Sequence, residues 1–322
     1  MKILFIRGGA IGDFIITFPA LEMLRAQWPD AHIEILGQAS TTRLALHRRY
    51  AQAVRSVDQG GLALFFARRS SLNPEMISWF GEFDLVVSCF YDPDEIFLEN
   101  LEACGLTRWE KGDGLPPYSD NGRVLPIDPR VTSATPAAKH FCDPLVELGL
   151  PEPASYVSHA HFLEEDFHAA DEILKSYDSK KLVLCHPGSG SLKKNWPLKK
   201  WAAFLDAFSS EMNLTPLILT GPAELEHLGP DSPLMGDFPR LENLGLPTVA
   251  ALLSRVGVYI GHDTGISHLA AAAGARCLLL FGCTDPAIWA PPGMNVRILH
   301  HPPSLEDLPV DAVHLAAGQL LE

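Results

Sequence analysis

Short runs rich in Val, Ile, Leu and Phe recur along the whole chain, separated by longer stretches in which apolar residues return at helical spacing. In the first half the runs cover 2–7, 32–37, 54–58 and 83–90; in the second they cover 181–186, 215–221, 256–261 and 276–282. Continuity rather than alternation predicts parallel strands covered on both faces. Helical spacing is found over 11–27, 41–51, 94–104, 164–177, 197–212, 248–255, 264–273 and a closing 309–321. Strand–helix alternation of this kind predicts a doubly wound α/β architecture. Pro19 lies inside the first helical stretch, where a proline either kinks a helix or marks its true start.

The middle breaks the pattern. Residues 112–137 contain Pro116, Pro117, Pro126, Pro129 and Pro136 among Asp and Ser, and Pro151 and Pro153 follow. Two domains are expected, 1–162 and 163–322. With 322 residues the chain is long enough for both, and 47% hydrophobic with 20% charged residues is an ordinary globular composition. No apolar run approaches the ~20 residues of a membrane span, and Ile3–Ile6 is too short for a signal-peptide core, so a cytoplasmic protein is expected. The six cysteines show no C-x-x-C or framework spacing and read as buried free thiols. A net charge of −14 argues against a nucleic-acid partner, and an anionic ligand would need a local positive group to hold it.

Ligands of open α/β sheets sit at the carboxyl ends of strands. The first strand runs into Arg7-Gly8-Gly9-Ala10-Ile11-Gly12-Asp13, whose glycines do not keep the G-x-G-x-x-G spacing of a dinucleotide site. Asp13 has two readings of equal weight: an acidic residue favoured at a helix start, or a carboxylate able to take a proton from an attacking hydroxyl.

The second half presents four such loops. His186-Pro187-Gly188-Ser189-Gly190-Ser191 leads to Lys193-Lys194-Asn195-Trp196-Pro197, where backbone N–H groups, hydroxyls and an ammonium before a helix form an anion site; a pair of solvated lysines is the plainer reading. Glu224, in Gly221-Pro222-Ala223-Glu224, is either an acid for ribose hydroxyls or a helix-start charge. In Gly261-His262-Asp263-Thr264-Gly265-Ile266-Ser267-His268, Asp263 or Thr264 can cap the next helix, and Gly265 leaves its first turn open to a phosphate. Gly282-Cys283-Thr284-Asp285-Pro286 closes the same rim. Together they predict a phosphate-and-sugar site.

Other clusters weigh less. Asp92-Pro93-Asp94 has the form of a metal-holding carboxylate pair, but Pro93 and the helix that follows favour a capping loop. His262, His268, His300 and His301 do not form a zinc set, and no metal is expected. Arg43, His47, Arg48, Arg49, Arg68 and Arg69 fit solvated helix faces at least as well as a surface for an anionic acceptor or a membrane.

Arg7 with Ile11-Gly12-Asp13 and Phe18-Pro19-Ala20-Leu21, followed in order by His186-Pro187-Gly188-Ser189, Lys194-Asn195-Trp196-Pro197, Gly221-Pro222-Ala223-Glu224, Asp263-Thr264-Gly265-Ile266-Ser267-His268-Leu269 and Gly282-Cys283-Thr284-Asp285-Pro286, resembles the family 9 glycosyltransferases, the ADP-heptose:lipopolysaccharide heptosyltransferases and their relatives. The resemblance spans nearly the whole chain; its most specific parts are D-T-G-x-x-H-L and the lysine before Trp196-Pro197. It implies an α/β GT-B fold, two facing Rossmann-like domains with a cleft between them. It further implies inverting transfer of a sugar from a nucleotide diphosphate donor, with ADP-heptose the best-known one, to a glycan or glycolipid acceptor. No cofactor or metal is implied, and contact with the inner face of the membrane is an added expectation. Asp13 matches the catalytic base, with Gly9, Ala10 and Gly12 beside it on the acceptor side. Ser189, Gly190 and Lys194 match the donor-phosphate loop, Glu224 the acid near the ribose, and Leu246 the segment lining the base. Asp263, Thr264, Gly265 and His268 match the loop for the pyrophosphate and sugar. Phe14, Ile15 and Ile16, after Asp13, are more apolar than the family's usual acceptor-side helix. A nucleotide-sugar epimerase and a non-catalytic nucleotide-sugar-binding protein are the rival readings.

Overall fold

The computed structural model of the chain describes residues 1–68, 70–132, 134–221 and 238–321, and of Lys180 the backbone only. The chain divides into two compact units, Met1–Tyr156 and Val157–Glu322; the division falls upstream of the one expected after residue 162.

The first unit is built on a sheet of β1 (Lys2–Arg7), β2 (His32–Gly37), β3 (Ala53–Ser56), β4 (Leu85–Ser88), β5 (Thr107–Arg108) and β6 (Arg123–Pro126), in the order β3-β2-β1-β4-β6-β5. All five pairings are parallel. The strand order reverses between β1 and β4, which pair Ile3 with Leu85 and Ile6 with Ser88. β1 is buried from Ile3 to Arg7, as its unbroken apolar run requires. One face packs Leu4, Ile6 and Val86 against Trp79, Phe80 and Phe97. Full burial of each such side chain contributes ~1.5–3 kcal/mol.

The second unit repeats the plan with β7 (Leu182–His186), β8 (Thr215–Thr220), β9 (Arg240–Glu242), β10 (Val258–His262), β11 (Arg276–Phe281) and β12 (Val296–His300), in the order β12-β11-β10-β7-β8-β9, again parallel throughout. Here the order reverses between β7 and β10. Val183, Cys185, Ile260, Leu278 and Leu280 pack against Trp196, Trp201, Phe204 and Val313. Trp201 and Phe204 lie on the helix Leu198–Met212, and Val313 lies on the closing helix Val310–Leu321. No described helix is long and apolar enough to cross a membrane.

Three local departures from the sequence reading have physical causes. The stretch 11–27 splits into helices Ile11–Ile15 and Phe18–Gln27, with Pro19 in the first turn of the second, so the proline marks a start. The stretch 41–51 is helical only over Ala39–Thr42. His47 adopts a left-handed conformation (φ 56°), and the buried Arg25 guanidinium takes the carbonyls of Arg49 (3.1 Å) and Tyr50 (3.4 Å), which no longer serve a helix. The proline-rich middle contains β6 and a helix, Ala137–Leu148, that tolerates Pro144 near its end.

Candidate functional site

In the first unit the chemistry gathers where β1 ends, at the reversal point where open α/β sheets bind their ligands. Asp13 lies in the first turn of the helix Ile11–Ile15. Its Oδ2 accepts the Ala10 N–H (2.8 Å), while Arg7 donates through Nε to the Asp13 carbonyl (2.9 Å) and through a terminal nitrogen to Oδ1 (3.2 Å). Arg7 is 7% exposed and rests over the Phe141 ring at 4.8 Å, whereas the Asp13 side chain is 41% exposed. A buried cation thus aims a half-exposed carboxylate. Gly9 permits this: its φ is +96°, and a Cβ there would stand 2.7 Å from Asp13 Oδ2. Ala10 and Gly12 flank the same turn. Asp92, after β4, accepts the N–H groups of Phe97 (3.0 Å) and Leu98 (2.9 Å), which makes it a cap for the helix Ile96–Glu102. Among the described residues no group of three or more His, Cys, Asp or Glu side chains is placed to hold a metal ion.

In the second unit the loops after β7 and β10 meet, because these strands are neighbours at the reversal. Lys194 Nζ donates to Asp263 Oδ2 at 2.6 Å, and the Thr284 hydroxyl, from the loop after β11, donates to the same oxygen at 2.8 Å. Asp263 is 8% exposed in its side chain and Lys194 31%. The two lysines of the pair are therefore unlike: Lys193 is exposed, and Lys194 is half-buried and ion-paired. Thr264 caps the helix Gly265–Ala272, accepting the Ser267 N–H at 3.3 Å. The N–H groups of Gly265 and Ile266, ahead of the first intrahelical bonds, leave the positive end of the helix at the strand edge. His268 is buried in this helix.

Ser189 is buried, and its hydroxyl lies 2.6 Å from both the Ser191 carbonyl and Asn195 Oδ1, so it organises the loop from within. Gly190 is exposed, with open space where a Cβ would stand. Leu246 opens the helix Leu246–Arg255 after β9 and is half-buried. Glu224 lies outside the described residues. Of the basic residues, Arg49 pairs with Glu22, Arg48 donates to the carbonyls of Arg43 (2.7 Å) and Leu46 (2.8 Å), and Arg68 reaches the Asp94 carbonyl at 3.4 Å.

Three residues that sequence reasoning left without a role hold this arrangement: Arg7, Thr284 and His262. His262 is fully buried at the end of β10. Its Nε2 accepts the Trp196 N–H (2.9 Å) and the Trp201 indole N–H (3.2 Å), so the ring proton sits on Nδ1, which faces the Gly188 carbonyl at 3.4 Å. One neutral imidazole therefore ties the loop after β7 to the end of β10 and fixes Lys194 beside Asp263. Burial pushes its pKa from 6.5 down to about 3. Below its ordinary pKa the unfolded imidazole takes up a proton that the native one refuses, so this contribution to stability is complete above pH 6.5 and is lost as pH falls toward 3. The slope reaches about 1.4 kcal/mol per pH unit. Urea midpoints measured between about pH 6 and 4 should fall less steeply for His262→Gln than for the parent; parallel slopes would show that the imidazole is not held neutral.

Comparison with known proteins adds to this geometry. The model of the family described as glycosyltransferase family 9 (heptosyltransferase) matches residues 118–307. Lipopolysaccharide heptosyltransferase 3 of Escherichia coli K12 is 22% identical over 302 residues, covering 88% of this chain and 83% of that protein. A family 9 glycosyl transferase from Veillonella parvula superposes with a TM-score of 0.78 at 20% identity, covering 99% of this chain and 97% of that one. The Escherichia coli ADP-heptose lipopolysaccharide heptosyltransferase II does so with a TM-score of 0.71 at 16% identity, covering 100% and 98%. At these identities the structural likeness establishes the fold, the α/β GT-B class that the sequence led us to expect.

Proposed function

Because the chain belongs to glycosyltransferase family 9, we propose that it moves heptose from ADP-heptose to a hydroxyl of a lipopolysaccharide-type glycan, with inversion at the anomeric carbon and without a metal ion. The observation that carries the reading is the half-buried Lys194, held against Asp263 at the strand reversal of the second unit and flanked by the start of the helix Gly265–Ala272. In a chain of net charge −14 the positive end of this helix, with an ammonium that Asp263 can share, offers a local hold for a diphosphate. The names of the relatives, an ADP-heptose heptosyltransferase and a lipopolysaccharide heptosyltransferase, support the donor and the acceptor class.

The chemistry is a single displacement. Asp13 accepts the proton of the acceptor hydroxyl as that oxygen attacks the anomeric carbon, and the bond from this carbon to the β-phosphate oxygen breaks on the opposite face. The electron pair leaves with the diphosphate, whose growing charge Lys194 and the N–H groups of Gly265 and Ile266 stabilise, the electrostatic role a metal fills elsewhere. Gly190, Thr264 and His268 surround the phosphates and sugar, and Leu246 lies against the base. Gly9, Ala10 and Gly12 leave room for the acceptor beside Asp13. The acceptor brings the enzyme to the inner face of the membrane.

A thermal-shift panel of nucleoside diphosphates and their sugars tests the donor, since a ligand of the native state raises the melting temperature. ADP and ADP-heptose should give the largest rises, with turnover that needs an acceptor, persists in a chelator and gives the opposite anomeric configuration by proton NMR. ADP-heptose converted without acceptor would favour an epimerase; binding without turnover on any acceptor would favour a non-catalytic protein.

A further inference from the structure

Asp263 carries two donors on one oxygen, Lys194 at 2.6 Å and Thr284 at 2.8 Å, in a position almost closed to water. Such a carboxylate is costly to leave without a partner. A diphosphate can recruit Lys194 only by drawing its ammonium away from Asp263, or by sharing it. We infer that Thr284 is a positioning residue for the donor site, one that keeps the Asp263 carboxylate hydrogen-bonded when Lys194 turns to the diphosphate. The inference rests on the reading of Lys194 as the diphosphate's cation.

The scaffold of Thr284 suits this role. The residue follows β11, whose end is fixed by the His301 N–H donating to the Phe281 carbonyl (2.8 Å), and Gly282 lies buried where a Cβ would stand 3.1 Å from Leu305. On its other side Asp285 accepts the Ala287 N–H at 2.9 Å. The hydroxyl is thus held by the sheet and by a capped turn, and not by the loop that carries Lys194. The neighbouring Thr264 hydroxyl is turned to the helix start, accepting the Ser267 N–H at 3.3 Å and lying 3.3 Å from the Ser267 hydroxyl. Without the Thr284 hydroxyl, Lys194 becomes the carboxylate's principal partner and is harder to release, so the donor binds less well although Thr284 need not touch it.

A double-mutant cycle on the full chain, read by calorimetric titration with ADP, tests this. Thr284→Val should weaken ADP binding about tenfold where Lys194 is present and leave it unchanged in a Lys194→Met background, which has no lysine to release; Thr284→Ser should restore parental affinity. An equal loss in both backgrounds would show that Thr284 only supports the fold and would overturn the inference. Unchanged binding in Thr284→Val, with weakened binding in Lys194→Met, would overturn it while leaving the diphosphate reading intact. Unchanged binding in Lys194→Met would remove that reading and the inference with it. Melting temperatures of each variant show that the titrations compare folded proteins.

Discussion

Asp13→Asn should bind ADP as the parent does and turn over ~100- to 10,000-fold more slowly, the range a positioned general base supplies. The substitution keeps the shape of the side chain and an oxygen for the Ala10 N–H, but removes the group that receives the proton. Its effect should fall on kcat and kcat/KM alike, the mark of an interaction made only in the transition state. If Asp13 were merely an acidic residue at a helix start, the variant would lose a little stability and keep its rate. The surroundings favour the base: a buried arginine and a glycine of positive φ serve to aim a half-exposed carboxylate, which is more than an exposed first turn needs.

Lys194→Met should weaken ADP binding by ten- to a hundredfold, since a hydrogen bond to a charged partner contributes about 1.5–3 kcal/mol. The loss has two parts. The ammonium no longer meets the diphosphate, and Asp263, which keeps the Thr284 hydroxyl but loses its cation, repels the same phosphates. Asp263→Asn in the Lys194→Met background should therefore recover some stability and part of the affinity. Lys194→Met should also lower stability, because it takes the cation from a carboxylate that is 8% exposed, with the Thr284 hydroxyl offsetting part of the loss. Parental ADP affinity in Lys194→Met would place the phosphates elsewhere.

Much of the architecture was legible from the run of side chains. β1, β7 and β11 are buried on both faces over nearly their whole length, and such strands announce themselves as continuous apolar runs. The short or outer strands did not: β5 has two residues, β9 three, and β12 alternates between exposed and half-buried positions. Proline hid the helix Ala137–Leu148, which keeps Pro144 inside it while burying Phe141, Cys142, Leu145 and Leu148. The candidate site divides in the same way. Strand-end position marked Asp13, Lys194 and Asp263 as places to look, since a parallel sheet delivers all its loops to one edge. That Lys194 and Asp263 pair across 69 positions, and that Thr284 shares the oxygen, depends on which strands are neighbours, which no local spacing records. His262 was weighed as a metal ligand; its role as a neutral acceptor between two tryptophan N–H groups emerges only once β10 lies beside β7.

The most direct test of the account is a time course of ADP release from ADP-heptose, with and without a heptose-deficient lipopolysaccharide core as acceptor, run in parallel on the parent and on Asp13→Asn. Acceptor-dependent release by the parent, with the variant slower by two to four orders of magnitude at equal donor occupancy, is the predicted result. Release that ignores the acceptor, or a variant as fast as the parent, would contradict it.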